Sequence, residues 1–96
     1  MAVTFEDIQA AGKALEGHAV RTPMLHAPKL SEMTGAEIFV KFENLQVTNS
    51  FKDRGAYIKL RSLSKADRET GVIAMSAGNH AQAVAYHAKG LGIPAT

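Results

Sequence analysis

Phe5, Ile8, Ala11 and Leu15 recur at the three- and four-residue spacing of one helix face. Thr4 precedes them as an N-cap, with Asp7 three residues on in a variant of the capping box, and Gly17 supplies a stop. Arg21-Thr22-Pro23 breaks the pattern, because the residue before a proline is pushed toward extended geometry. Pro28 in a first turn and Gly35 after the last turn frame a short second helix through Leu30 and Met33.

Residues 37–43 alternate: Ile38, Val40 and Phe42 face one side, and Glu37, Phe39, Lys41 and Glu43 the other, which predicts a strand. A polar stretch over 44–49 follows. Ser50 with Asp53 gives a second capping signal, and Ala56, Tyr57, Leu60 and Leu63 trace a helical stripe behind it. Ser64 with Asp67 begins a further turn that Gly71 ends. Val72-Ile73-Ala74-Met75 reads as a buried strand, joined by Ser76-Ala77-Gly78-Asn79-His80 to a helix with Ala81, Val84, Ala85 and Ala88 on one face. Those small positions predict close packing against a sheet, Lys89 and Gly90 end the helix, and Ile93-Pro94-Ala95-Thr96 opens another strand.

Strand, helix, strand, helix and incipient strand is the α/β alternation of an open, mostly parallel sheet. Two complete strands cannot protect such a sheet, which needs helices on both faces and covered edges. The pattern therefore predicts the front end of something larger; the alternative is a small α/β domain that folds by dimerising. Composition agrees with a folded chain. Among 96 residues, 46% are hydrophobic and 21% charged, which excludes collagen-like and disordered classes. Zero cysteines exclude a disulfide framework, a thiolate metal site and a cysteine nucleophile. Eleven Lys/Arg against nine Asp/Glu leave a formal charge of +2, too small an excess to support nucleic-acid binding. No apolar run approaches the roughly 20 residues of a membrane span. The first residues carry acids where a signal peptide carries bases, and the expectation is a soluble, cytoplasmic protein.

Two places hold candidate chemistry. Gly78-Asn79-His80 lies between a predicted strand and a helix N-terminus, where backbone N–H groups and the helix dipole favour an anion. Ser76 and Asn79 add short side chains that donate to a carboxylate or accept from a hydroxyl. The same residues also suit an ordinary glycine-containing turn with an Asn cap. Lys52 sits just inside the Ser50 cap, where the dipole disfavours a cation. Partial burial there would favour a neutral amine able to form a Schiff base, although most lysines are solvated surface groups. Gly55 inside the helical pattern suggests that something approaches the backbone closely. No metal site is expected: His80 and His87 could share a helix face, but no third ligand accompanies them. His18 and His26 read as surface or loop residues. Lys59, Arg61, Lys65 and Arg68 read as a solvated helix face, and Met24, Met33 and Met75 as core filler.

Ser50-Phe51-Lys52-Asp53-Arg54-Gly55-Ala56, followed by Ser76-Ala77-Gly78-Asn79-His80-Ala81-Gln82, strongly resembles fold-type II pyridoxal-phosphate enzymes. The match is to the threonine dehydratase (threonine ammonia-lyase) and serine dehydratase/racemase group. Arg21-Thr22-Pro23 and Lys41-Phe42-Glu43-Asn44-Leu45-Gln46 are similar to that group's N-terminal signatures. The resemblance implies a partial three-layer open twisted sheet of the tryptophan-synthase-β-like fold. Residues 1–50 would belong to the large domain, and 51–96 would open the small one. Lys52 resembles the lysine that holds pyridoxal 5'-phosphate as a Schiff base and moves the Cα proton; Phe51 resembles the residue beside the cofactor ring, and Asn79 the partner of the ring hydroxyl oxygen. Ser76, Ala77, Gly78, Asn79 and His80 match the loop that holds the substrate carboxylate.

The implied reaction removes the β-hydroxyl of threonine or serine, giving a 2-oxo acid and ammonia, with serine racemase or hydroxyaspartate dehydratase as alternatives. Threonine and cysteine synthases usually carry Thr where this chain has His80, which favours the dehydratase branch. Asn49 departs from the glycine expected before Ser50-Phe51-Lys52. The resemblance places the glycine-rich phosphate loop and the residue facing the pyridine nitrogen beyond residue 96, and implies a homo-oligomer for the full-length form. On that reading the 96 residues alone have little activity. The different-class alternative is a non-catalytic piece.

Overall fold

Thr4 caps the first helix as its spacing predicts: its hydroxyl accepts from the Asp7 N–H at 3.1 Å, and Asp7 accepts from the Thr4 N–H at 2.9 Å. The computed structural model describes residues 2–96, and in it this helix, α1, runs Phe5–Ala14. Its apolar face is not covered. Phe5 and Ile8 stand exposed, and only Leu15, at the C-cap, is buried. The short helix α2, Pro28–Thr34, ends on Gly35 at φ 72°, the left-handed cap expected there.

The predicted strand over 37–43 narrows to β2, Phe39–Lys41, because Glu43–Leu45 winds into a 3-10 turn. Its partner is β1, Met24–His26, which directly follows the proline break; extended geometry imposed by Pro23 continues into pairing. The two strands run antiparallel, with Leu25 opposite Val40, so this sheet is not the parallel one the alternation implied. His26 is on a strand rather than in a loop, exposed, edge-on to Phe39 and within 3.2 Å of the Ser31 hydroxyl.

The chain then builds α3, Lys52–Arg61, α4, Lys65–Thr70, and α5, Asn79–Gly90. Ser64 caps α4 by accepting from the Asp67 N–H at 3.1 Å, as its spacing predicts. The Ser50–Asp53 signal is used differently. The Ser50 hydroxyl accepts from Lys52 N–H at 3.2 Å, a local turn, while the Asp53 carboxylate turns inward.

The core lies between α3 and α5. Ala56, Tyr57 and Leu60 are buried from one side, and Ala83, Val84 and Ala88 from the other. The buried face of α5 is therefore rotated from the predicted one, leaving Ala85 exposed, and it packs on a helix rather than a sheet. Full burial of Ala83 and Ala88 lets the two helices approach closely. Leu60 and Ile93 complete one cluster with Ala88, each side chain contributing roughly 2 kcal/mol by burial.

Residues 72–75 form no regular strand. Val72 makes one parallel bridge to Ala95: its N–H donates to the Pro94 carbonyl at 2.8 Å, and its own carbonyl accepts from Thr96 at 3.0 Å. Ile73 and Met75 are 83% and 99% exposed, which overturns both the buried-strand reading and the core-filler reading of Met75. Met24 and Met33 are exposed too. The physical reason is shared: with two short strand pairings, the described residues offer these side chains no second layer to pack against. The Cα radius of gyration, 16.0 Å, exceeds the roughly 12.5 Å of a compact chain this long, in keeping with uncovered faces. Among the described residues no helix is long and apolar enough to cross a membrane.

Candidate active site

The first turn of α3 carries Phe51 and Lys52 outward while Asp53 points inward. Lys52 Nζ lies 5.1 Å from the centre of the Phe51 ring, a cation–π distance. Both open onto a cavity of about 450 Å³, whose wall also includes Gly55, Ala74, His80 and Val84. The wall is mostly aliphatic, with Lys52, His80 and Lys59 supplying polar ends, so Lys59 borders the cavity as well as belonging to an exposed helix face. Lys52 is exposed, so the partial burial expected from its position is absent among the described residues. Nothing lies within 4 Å of where a Gly55 Cβ would stand. That glycine faces open space on the cavity side; it does not mark a close approach by another part of the chain.

His80 reaches this cavity from the first turn of α5. Ser76, Ala77 and Gly78 form the preceding loop and Asn79 is the first residue of α5, but none of the four lines the cavity, so the structure joins Phe51, Lys52 and His80 and leaves the rest of the motif beside them. The Ser76 hydroxyl accepts from the Gly78 N–H at 3.2 Å, curling the loop on itself. No side chain caps α5, so its leading N–H groups keep their capacity for an external acceptor. The loop also follows the Val72 bridge, outside the carboxyl end of the extended segment, where open α/β sheets gather ligands. An amine, an aromatic neighbour, an apolar wall and an uncapped helix end fit an aromatic aldehyde cofactor that carries an anionic substrate.

Two side-chain assemblies outside the cavity lining were not foreseen from the sequence. The first joins the N-terminal signatures to α3. Arg54 donates to both oxygens of Glu43, from Nε at 2.8 Å and Nη2 at 2.9 Å. Thr22 and Gln46 also donate to Glu43, Lys41 donates to the Thr22 carbonyl at 2.8 Å, and Gln46 exchanges two hydrogen bonds with the Val20 backbone. The Arg54 guanidinium, against some desolvation, holds the Glu43 carboxyl down at about 2. The second is a buried pair, His87 Nε2 at 2.8 Å from Asp53 Oδ1, with the Thr48 hydroxyl donating to Oδ2. Its signal was present in the pattern. Asp53, Ala56, Tyr57 and Leu60 stand at i, i+3, i+4 and i+7, so the α3 stripe extended by one turn lands on a carboxylate that needs a partner. His87, thought capable of sharing a ligand face with His80, is instead buried, whereas His80 is exposed. His18 is exposed as expected, and stacks on Tyr57 with ring centres 4.3 Å apart.

Residues 15–96 match the family model described as pyridoxal-phosphate dependent enzyme. The chain is 53% identical over 94 residues to L-threonine ammonia-lyase of Thermotoga maritima, covering 98% of this chain and 23% of that protein. It is 47% identical over 93 residues to L-threo-3-hydroxyaspartate ammonia-lyase of a Pseudomonas species, covering 97% and 29%. The fold superposes on the crystal structure of serine racemase from Dictyostelium discoideum with a TM-score of 0.87 at 40% identity, covering 97% of this chain and 31% of that one. The chain thus spans about a quarter of the length of the curated relatives it matches. Its α/β arrangement is part of the fold-type II architecture, and the chain belongs to the pyridoxal-phosphate dependent enzyme family.

Proposed function

We propose that this chain supplies the reactive lysine and the carboxylate-binding loop for elimination of water from threonine or serine; the released enamine then takes water back in solution, giving a 2-oxo acid and ammonia. The observation that carries the reading is the Lys52 amine standing at an aliphatic cavity whose far rim is the uncapped first turn of α5. The loop Ser76-Ala77-Gly78-Asn79-His80 binds the substrate carboxylate through backbone N–H groups and the short side chains of Ser76 and Asn79. That contact fixes the direction of the Cα–H bond, which Lys52 meets with its amine as the base. With the cofactor bound, Phe51 would flank its ring, and Asn79, at the start of α5, would be the side chain to donate to the ring hydroxyl oxygen. Pyridoxal 5'-phosphate supplies the electron sink when bound. Residues 1–50 go with a large domain and 51–96 with a small one; supporting this, the β1–β2 pair and α2 lie in the first segment and the α3–α5 packing lies in the second.

Racemisation of serine uses the same groups, with the Cα proton removed and returned and the hydroxyl retained. The likeness to the serine racemase structure favours keeping this second reading. Incubation of the chain with pyridoxal 5'-phosphate, borohydride reduction and peptide mapping tests the common core. The expected result is a label concentrated on Lys52. A label spread over all lysines in proportion to exposure overturns the assignment. Threonine, serine and 3-hydroxyaspartate, assayed for 2-oxo acid and for D-amino acid in the protein that carries the phosphate site, separate elimination from racemisation.

A further inference from the structure

Asp53 occupies a position that its neighbours on α3 fill with apolar groups. It is 1% exposed, and each carboxylate oxygen has a partner: Oδ1 meets His87 Nε2 at 2.8 Å, and Oδ2 accepts from the Thr48 N–H and hydroxyl. His87 is buried as well, edge-on to Tyr57 and Tyr86. A buried polar pair seldom stabilises more than apolar side chains of similar size, so holding two helices together does not by itself account for it. What it adds is direction, since a hydrogen bond fixes the register of two helices where aliphatic contacts tolerate sliding. That register involves the proposed site. Lys52 directly precedes Asp53, and His80 stands seven residues before His87, two turns along the same helix and on the cavity wall.

We propose that Asp53 and His87 are positioning residues whose hydrogen bond sets the Lys52 amine relative to the first turn of α5, so that amine and carboxylate loop face one ligand. The inference rests on the reading of Lys52 given above. It is tested in the 96-residue chain with pyridoxal 5'-phosphate as probe, folding being monitored by far-ultraviolet circular dichroism. Borohydride-fixed adduct at Lys52 is measured against adduct at Lys65, a lysine of α4 whose side chain is 92% exposed. Amide exchange is followed at residues 79–82.

In folded His87→Leu the Lys52-to-Lys65 ratio is expected to fall about tenfold, and exchange at 79–82 to rise. His87→Gln, whose amide can donate to Asp53 Oδ1, is expected to restore most of the ratio. An unchanged ratio in His87→Leu overturns the proposal. So does a loss that His87→Gln fails to recover, since that marks bulk packing rather than the hydrogen bond. Should the Leu variant not fold, His87→Asn, one methylene too short to reach Oδ1, takes its place with the same expected drop and the same overturning result. Absence of any Lys52 preference in the unaltered chain defeats the reading of Lys52. Exchange at 79–82 then still decides the pair, and no rise in His87→Leu overturns its role in register.

Discussion

Glu43 and Arg54 are joined by two parallel hydrogen bonds that tie the turn after β2 to the helix bearing Lys52. Fork-to-fork pairing is directional, so it fixes the entry angle of α3 as well as adding attraction. Arg54→Lys keeps the charge but cannot reproduce the fork. Chemical denaturation is expected to show a loss of about 1 kcal/mol, modest because the arginine is a third exposed.

Acid should release the same clasp. Arg54 holds Glu43 at about 2 in the folded chain, against an ordinary 4.5. The unfolded chain therefore takes up the proton first as pH falls. The stabilisation is fully present above about pH 4.5 and is lost on approach to pH 2. Thermal midpoints measured between these limits are expected to drop steeply in the native sequence and less steeply in Glu43→Gln. Part of the remaining slope comes from Asp7, which the Thr4 N–H holds below the usual carboxylate range.

Asn49 has φ 66°, the only non-glycine residue with positive φ among those described. That explains how the chain departs from the glycine expected there: asparagine tolerates left-handed backbone better than other side chains. Asn49→Gly should leave stability within about 0.5 kcal/mol of the starting value, and Asn49→Val should cost roughly 1–2 kcal/mol. Equilibrium unfolding of the two variants checks the pair.

Gly71 is constrained more tightly. Its φ is 91°, and a Cβ there would stand 2.7 Å from the Pro94 carbonyl oxygen, the acceptor of the Val72 N–H. Gly71→Ala is expected to cost more than about 1 kcal/mol and to remove amide-exchange protection at Val72 and Thr96 while sparing α1. Preserved protection at those two amides would contradict this account.

Local signals in this chain were legible where a residue acts on its own backbone. The Thr4 and Ser64 caps, the Gly35 stop and the Ala56, Tyr57 and Leu60 positions of the α3 stripe stand where spacing placed them, whereas Leu63 falls past the Ser62 C-cap and is half-buried. Legibility failed where the decisive partner is distant in sequence. Nothing near residues 24–26 indicates that they pair with 39–41, and nothing near Ser50 shows that Asp53 is drawn away by His87, 34 residues on. The candidate site divides the same way. Phe51, Lys52 and His80 were visible as motif residues, whereas the Glu43–Arg54 and Asp53–His87 pairs required the tertiary fold.

The bridge between Val72 and Ala95 has a kinetic consequence. Parallel partners joined through a crossover close a long loop, whose entropy opposes the pairing and is reduced once α5 has formed between them. Refolding should therefore protect the amides of α5 before those of Val72 and Thr96, and a pulse-labelling series would register this junction among the last parts of the chain to close.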